Sequence, residues 1–168
     1  MSGSERISFQ LNGIARSCDV MPNIMLIDLL RDRFGLAGTK LSCDQAVCGA
    51  CTVLVNAMPI AACARFAFSV DGATVTTIEG LAAADGSLSA VQDSFLKATA
   101  FQCGFCTSGM IMLATALLAQ NPRPSREEIV LWMSSNICRC TGYKMIIEAV
   151  EAAAQASRGG RRGGGAAG

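Results

Sequence analysis

The chain contains no histidine. The commonest general base is therefore missing, and no side chain in the sequence reads as a nucleophile held by a base. Charge is scarce as well. Only 16% of the 168 residues are Asp, Glu, Lys or Arg, and they sum to +1, which gives no electrostatic reason to expect nucleic acid. Long apolar runs are absent. The most apolar stretch, Gly104–Leu118, is shorter than a bilayer span and contains Thr107, Ser108 and Thr115, so it reads as a buried core helix and no membrane span is expected. The first ten residues, MSGSERISFQ, are polar and carry both signs of charge. They lack the apolar core of a secretory signal, so the expected location is the cytoplasm. No internal repeat is seen.

Hydrophobic residues make up 51% of the chain. So much apolar area with so little charge to cover it favours a permanent partner. The length suits one domain or two small ones. Nine cysteines are present. The odd number would leave one over in a purely disulfide framework, and a chain without an export signal uses cysteine for metal more often than for disulfides.

The first half reads as strands and turns. Ile7, Phe9 and Leu11 alternate ahead of Asn12-Gly13, a hairpin turn signal, and the return strand runs to about Asp19. A short helix is expected over Met25–Phe34, stopped by Gly35. A loop dense in Gly and Cys follows (Gly38–Cys51). Thr52–Val55 and Ile60–Cys63 are expected to pair across Asn56-Ala57, where Ala suits a positive φ poorly. Thr74–Ile78 is a further strand. The second half reads as helices: Leu88–Thr99 with Val91, Phe95 and Leu96 inward, Phe105–Ala119, a helix opened by the Ser125/Glu128 capping box and running to about Ser134, and Tyr143–Ala156. Strands first and helices second make an α+β chain. The composition changes near residues 80–86, dividing it into 1–82 and 83–157. Residues 158–168, RGGRRGGGAAG, cannot bury a core and are expected to be a flexible tail. Eleven such residues on a near-neutral chain are a poor case for RNA binding.

Eight cysteines fall into two sets. Cys43, Cys48, Cys51 and Cys63 form C-x4-C-x2-C-x11-C, with three thiols in one loop. A four-residue gap followed by a two-residue gap is the plant-type [2Fe–2S] ferredoxin spacing. Gly49 and Ala50 are small enough to let backbone amides reach cluster sulfurs. Cys103, Cys106, Cys138 and Cys140 form C-x2-C-x31-C-x-C. Cys103 and Cys106 are expected together at the start of the apolar helix, whose free amides favour thiolates. Cys138 and Cys140, two apart, would diverge on a helix and so belong in a turn. Four thiols also suit zinc, and for the second set the spacing leaves that open. Cys18, the ninth, reads as a core residue on a strand.

Three stretches carry a resemblance: GTKLSCDQAVCGACTVLVN (Gly38–Asn56), QCGFCTSGMIM (Gln102–Met112) and NICRCTGY (Asn136–Tyr143). With them the chain resembles, over about residues 5–157, the small iron–sulfur subunit of the molybdenum hydroxylases, the xanthine oxidase family. The resemblance implies a β-grasp, ferredoxin-like domain followed by a four-helix bundle, each with one [2Fe–2S] cluster. It implies a large subunit with molybdenum-pyranopterin, in a dinucleotide form, and a medium subunit with FAD, assembled as a dimer of heterotrimers. Electrons would pass singly from molybdenum through the bundle cluster, then the β-grasp cluster, to FAD. The chain would thus be a subunit of an oxidoreductase and hold no substrate chemistry itself. Gln102 and Cys140 would approach the pterin. The expected substrate is an N-heteroaromatic compound such as quinoline. Ser42 and Ala46 stand where the family usually has Gly, and Ser42 could add a hydroxyl donor. Two rival readings are a free-standing two-cluster ferredoxin and a zinc-binding structural adaptor.

Overall fold

The computed structural model describes residues 3–159. The glycine- and arginine-rich tail expected beyond the last helix lies, from residue 160 on, outside the described residues. Five strands and five helices are present among them.

Strand β1 (Glu5–Leu11) turns back into β2 (Ile14–Val20) through Asn12 and Gly13, at φ 52° and 77°. Both residues sit in the left-handed region, so this is the primed turn that matches strand twist. Ile7, Phe9 and Leu11 are all buried, as their alternation predicts, and Cys18 is buried opposite Ile7. The short helix α1 (Leu26–Asp28) continues as a π-helical turn over Leu29–Arg33. Leu26, Ile27, Leu29 and Leu30 are buried, and Gly35, at φ 68°, ends the helix where it was expected to stop.

Strands β3 (Thr52–Val55) and β4 (Met58–Ala61) form the second hairpin, and β5 (Thr74–Thr76) closes the sheet in the order β2-β1-β5-β3-β4. β1 and β5 are parallel and the other pairs antiparallel. The expected strand Ile60–Cys63 ends earlier, because Ala62–Ala64 tightens into a 3₁₀ turn that carries Cys63. Likewise Ile78 opens a 3₁₀ turn instead of extending β5. The sheet and α1 enclose one core, the β-grasp arrangement that the resemblance implies.

Helices α2 (Ala90–Lys97), α3 (Thr107–Gln120), α4 (Arg126–Met133) and α5 (Lys144–Gly159) enclose a second core around Phe95, Met110, Ile129, Met133 and Ile146. The Ser125/Glu128 capping box is formed, with the Glu128 amide donating to Ser125 Oγ (3.2 Å) and the Ser125 amide to Glu128 Oε2 (2.6 Å). Ser89 and Gln92 cap α2 in the same way. Leu96, expected inward, is exposed. It follows buried Phe95 by one residue, and one step on a helix turns a side chain about 100° away.

All four residues of β3 are buried. Val53 and Val55 face the sheet core, whereas Leu54 packs on Met112 and Ala116 of α3. The bundle therefore covers the outer face of β3, and a third apolar cluster holds the two halves together. At the same place Gly109 of α3 meets the first cysteine loop backbone to backbone. A Cβ there would lie 2.2 Å from the Gly49 carbonyl oxygen.

Candidate iron–sulfur sites

The first loop is anchored at its entrance. Arg31 Nη1 donates to the carbonyls of Ala37 (3.1 Å) and Thr39 (2.7 Å), and the Gly38 amide donates to Glu79 Oε1 (2.8 Å). Asp44, Ala46 and Gly49 then take positive φ of 56°, 55° and 68°. Left-handed residues in a tight loop turn neighbouring amides toward a common centre, a nest for an anion. The amides of Gln45 and Cys48 donate to Cys43 Sγ, and that of Ala46 to Cys63 Sγ, each at 3.4 Å. The amides of Cys48, Gln45 and Val47, led by that of Cys48, pull the Cys43 thiol down to about 6. Burial pushes Cys51 up to about 11, and its sulfur also meets that of Cys63.

Ala46 thus occupies a conformation that glycine would take freely, at a cost of about 1–2 kcal/mol. Ser42 is exposed and donates to no sulfur among the described residues, so the extra donor considered for it is not made.

The second set lies on two turns. The structure corrects the expectation that both Cys103 and Cys106 start the apolar helix: α3 begins at Thr107, Cys106 is its N-cap, and Gly104 at φ 81° puts Cys103 in the preceding turn. Cys138 and Cys140 lie in the turn between α4 and α5, as their spacing predicts. Cys103 Sγ and Cys140 Sγ are 3.5 Å apart, and Cys106 meets Cys138. Burial pushes Cys106 up to about 12, and the neighbouring Cys138 thiol adds to this. Burial also raises Cys138, but the Thr141 hydroxyl (3.1 Å) and amide (3.4 Å) donate to its sulfur and lower it overall. Contact with Cys103 raises Cys140. Gln102, Cys103 and Cys140 are all exposed, and Gln102 makes no side-chain hydrogen bond among the described residues. Cys18 stays apart in the sheet core.

In both sets the thiols meet in pairs: Cys43 with Cys48 and Cys51 with Cys63, then Cys103 with Cys140 and Cys106 with Cys138. Among the described residues no three Cys, Asp or Glu side chains are placed to hold a single ion. Two pairs suit a two-iron cluster, with two thiolates per iron, better than one tetrahedral zinc. Beside Cys106, Thr107 Oγ1 and Ser108 Oγ are buried without a partner. A buried hydroxyl left unpaired costs about 1–3 kcal/mol, so both await an acceptor that these residues do not supply. The donor set fits a bound anionic cluster.

Three residues that sequence reasoning gave no role tie the two sites together. The Ile137 amide donates to the Cys48 carbonyl (2.9 Å). Asn136, only 4% exposed, donates through Nδ2 to the Gly49 carbonyl and Thr52 Oγ1, both at 3.2 Å. Tyr143 accepts from the Cys138 amide and donates to the Asn136 carbonyl, each at 3.0 Å. All three lie in the stretch NICRCTGY, but nothing in its periodicity marks them.

A β-grasp sheet and a helical bundle, each presenting four paired thiols, define a two-centre [2Fe–2S] electron-transfer protein. Comparison with known proteins agrees. Residues 9–73 match the 2Fe-2S iron-sulfur cluster binding domain, and residues 77–151 match the [2Fe-2S] binding domain. The nicotinate dehydrogenase small FeS subunit of Eubacterium barkeri is 50% identical over 149 residues, 89% of this chain and 94% of that one. The nicotine 6-hydroxylase small subunit of Paenarthrobacter nicotinovorans is 44% identical over 151 residues, 89% of this chain and 90% of its own. In the crystal structure of quinoline 2-oxidoreductase from Pseudomonas putida 86, a chain with 46% identity superposes with a TM-score of 0.88, over 94% of this chain and 98% of that one. The chain belongs to the iron–sulfur small subunits of the molybdenum hydroxylase family. Among the described residues no helix is long and apolar enough to cross a membrane.

Proposed function

We propose that this chain passes electrons one at a time between a large subunit carrying molybdenum-pyranopterin dinucleotide and a medium subunit carrying FAD, in a cytoplasmic dimer of heterotrimers. Residues 1–82 and 83–157 form its two units. Cys43, Cys48, Cys51 and Cys63 hold one [2Fe–2S] cluster, and Cys103, Cys106, Cys138 and Cys140 hold the other. Bound there, each cluster supplies a one-electron redox couple. The observation that carries the reading is the pairing of thiols in two quartets that a direct hydrogen bond joins.

The protein's own part is to bind, orient and tune. Amides of the first loop stabilise negative charge at Cys43 and Cys63, and Thr141 does so at Cys138. At neutral pH Cys51 and Cys106 must lose protons for iron to bind, so loading the sites releases protons. The exposed Gln102, Cys103 and Cys140 suit the pterin side, with Gln102 offering a free amide and Cys140 serving as both ligand and exit. The names of similar proteins, which act on nicotinate, nicotine and quinoline, support an N-heteroaromatic substrate, hydroxylated in the large subunit.

The variant Cys106→Ser tests the reading in the assembled enzyme. It is expected to stop flavin reduction by substrate while the pterin content of the large subunit stays at the wild-type level. Flavin reduction at the normal rate would refute the path.

A further inference from the structure

We infer that Thr141 sets the reduction potential of the second centre, that of Cys103, Cys106, Cys138 and Cys140: its hydroxyl donates to the Cys138 sulfur and raises that centre's affinity for an electron. The inference rests on the iron–sulfur reading of the two quartets. Among the described residues Thr141 is the one side chain, cysteines apart, that hydrogen-bonds to any of the eight thiols. At 3.1 Å its hydroxyl lies closer to sulfur than the amides that reach Cys43, Cys63 and Cys138, at 3.4 Å. Amides come with the fold of each loop, whereas this hydroxyl is present only because residue 141 is threonine. The two centres therefore differ in a donor that a single side chain supplies.

The turn settles the direction of this hydrogen bond. Gly142 and Tyr143 both take positive φ, 64° and 67°. Folded in this way, the chain brings the Tyr143 amide back to Thr141 Oγ1 at 3.2 Å. That amide occupies a lone pair of the hydroxyl oxygen. The single hydroxyl proton is left for Cys138 Sγ, which as a thiolate ligand can only accept. A left-handed tyrosine is an uncommon conformation. Here the Tyr143 hydroxyl holds it, accepting from the Cys138 amide and donating to the Asn136 carbonyl. Cys138 is 8% exposed, so solvent screens the contact little. One added electron puts more negative charge on the ligand sulfurs, and a donor to sulfur then gains strength. The reduced form is stabilised more than the oxidised form, which raises the potential. The proton stays on Thr141 Oγ1 throughout; one electron arrives, and no bond within the chain forms or breaks.

The test is a redox titration of the purified multisubunit enzyme with dye mediators, each point frozen and read by electron paramagnetic resonance. The second centre is the one whose signal Cys106→Ser abolishes. Thr141→Val removes the hydroxyl, keeps the side-chain shape and leaves the Thr141 amide in place. It is expected to weaken electron binding at the second centre about tenfold, a fall in midpoint potential of about 59 mV, while the first centre keeps its wild-type potential. Thr141→Ser brings back the hydroxyl and the potential with it. Thr141→Ala, which fits wherever threonine does, decides the matter if the valine variant does not hold its second cluster. A merely structural role would lower the melting temperature and leave the potential unmoved. Valine or alanine variants with a wild-type potential, or with both centres shifted alike, overturn the inference. So does loss of the second cluster from both while the serine variant keeps it, which would make Thr141 a residue that holds the cluster. A wild-type enzyme without two [2Fe–2S] signals overturns the iron–sulfur reading, and the inference with it.

Discussion

Replacing Gly109 by alanine sets helix propensity against packing. Gly109 lies in the first turn of α3, so the helix-interior gain of about 0.8–1.0 kcal/mol for alanine is an upper bound here. In this fold the new Cβ would lie 2.2 Å from the Gly49 carbonyl oxygen and 3.2 Å from the Ala50 Cα, all backbone atoms. The carbonyl cannot retreat, because three donors from Thr52 and Asn136 fix it. Helix α3 must therefore back away from the first cysteine loop by about 1 Å to restore van der Waals contact. That movement opens the contact of Met112 and Ala116, both 0% exposed, with Leu54. Overpacking of this kind costs about 1–3 kcal/mol, and with an unyielding backbone the upper end applies. The net destabilisation is about 2 kcal/mol once propensity is subtracted. For a chain of this size that lowers the melting midpoint by about 4–8 °C. The assay is a thermal melt of the cluster-loaded protein at fixed scan rate, followed by visible absorbance and far-ultraviolet circular dichroism. An alanine variant that melts at or above the wild-type midpoint would refute the backbone contact.

Two further predictions concern the sheet and the thiols. Ala57 sits at φ 65° in the β3–β4 turn, where a left-handed alanine costs about 1–2 kcal/mol; Ala57→Gly should stabilise by about 0.5–1 kcal/mol after its extra unfolded-state entropy, read as a raised melting midpoint. In the iron-free chain, Cys43, held near 6 by loop amides, is largely thiolate at pH 7.5, whereas burial keeps Cys51 near 11 and Cys106 near 12 as thiols. Iodoacetamide mapping by mass spectrometry should find Cys43 modified before Cys51 and Cys106, with its rate falling as pH drops below 6.

Local signals account for what the sequence made legible. Asn12-Gly13 marks its turn because both positions need positive φ, and the Ser125/Glu128 pair marks a helix start because each side chain satisfies the other's amide. The cysteine spacings sorted eight thiols into two groups, and the fold brings each group together. Cys103 and Cys106 were expected to face one way from the helix start because they are three apart, but Gly104 at positive φ separates them and leaves only Cys106 at the start of α3. The rest lies between the halves. β3 reads as a β-branched run, but only its packing on α3 explains why Leu54 is buried on the second face. Gly109 reads as one small residue in an apolar helix, and Asn136 and Ile137 as ordinary neighbours of a cysteine. Their roles come from contacts with residues 48–52, some 60–90 positions away in sequence, which no local periodicity encodes.

An electron relay of this kind requires two one-electron centres in this one chain. The direct measurement is anaerobic electron paramagnetic resonance of the dithionite-reduced protein, with iron and zinc counted in the same sample. Two distinct [2Fe–2S] signals with about four irons per chain are the predicted result. A colourless, silent, zinc-loaded sample would contradict it and make the paired thiols structural.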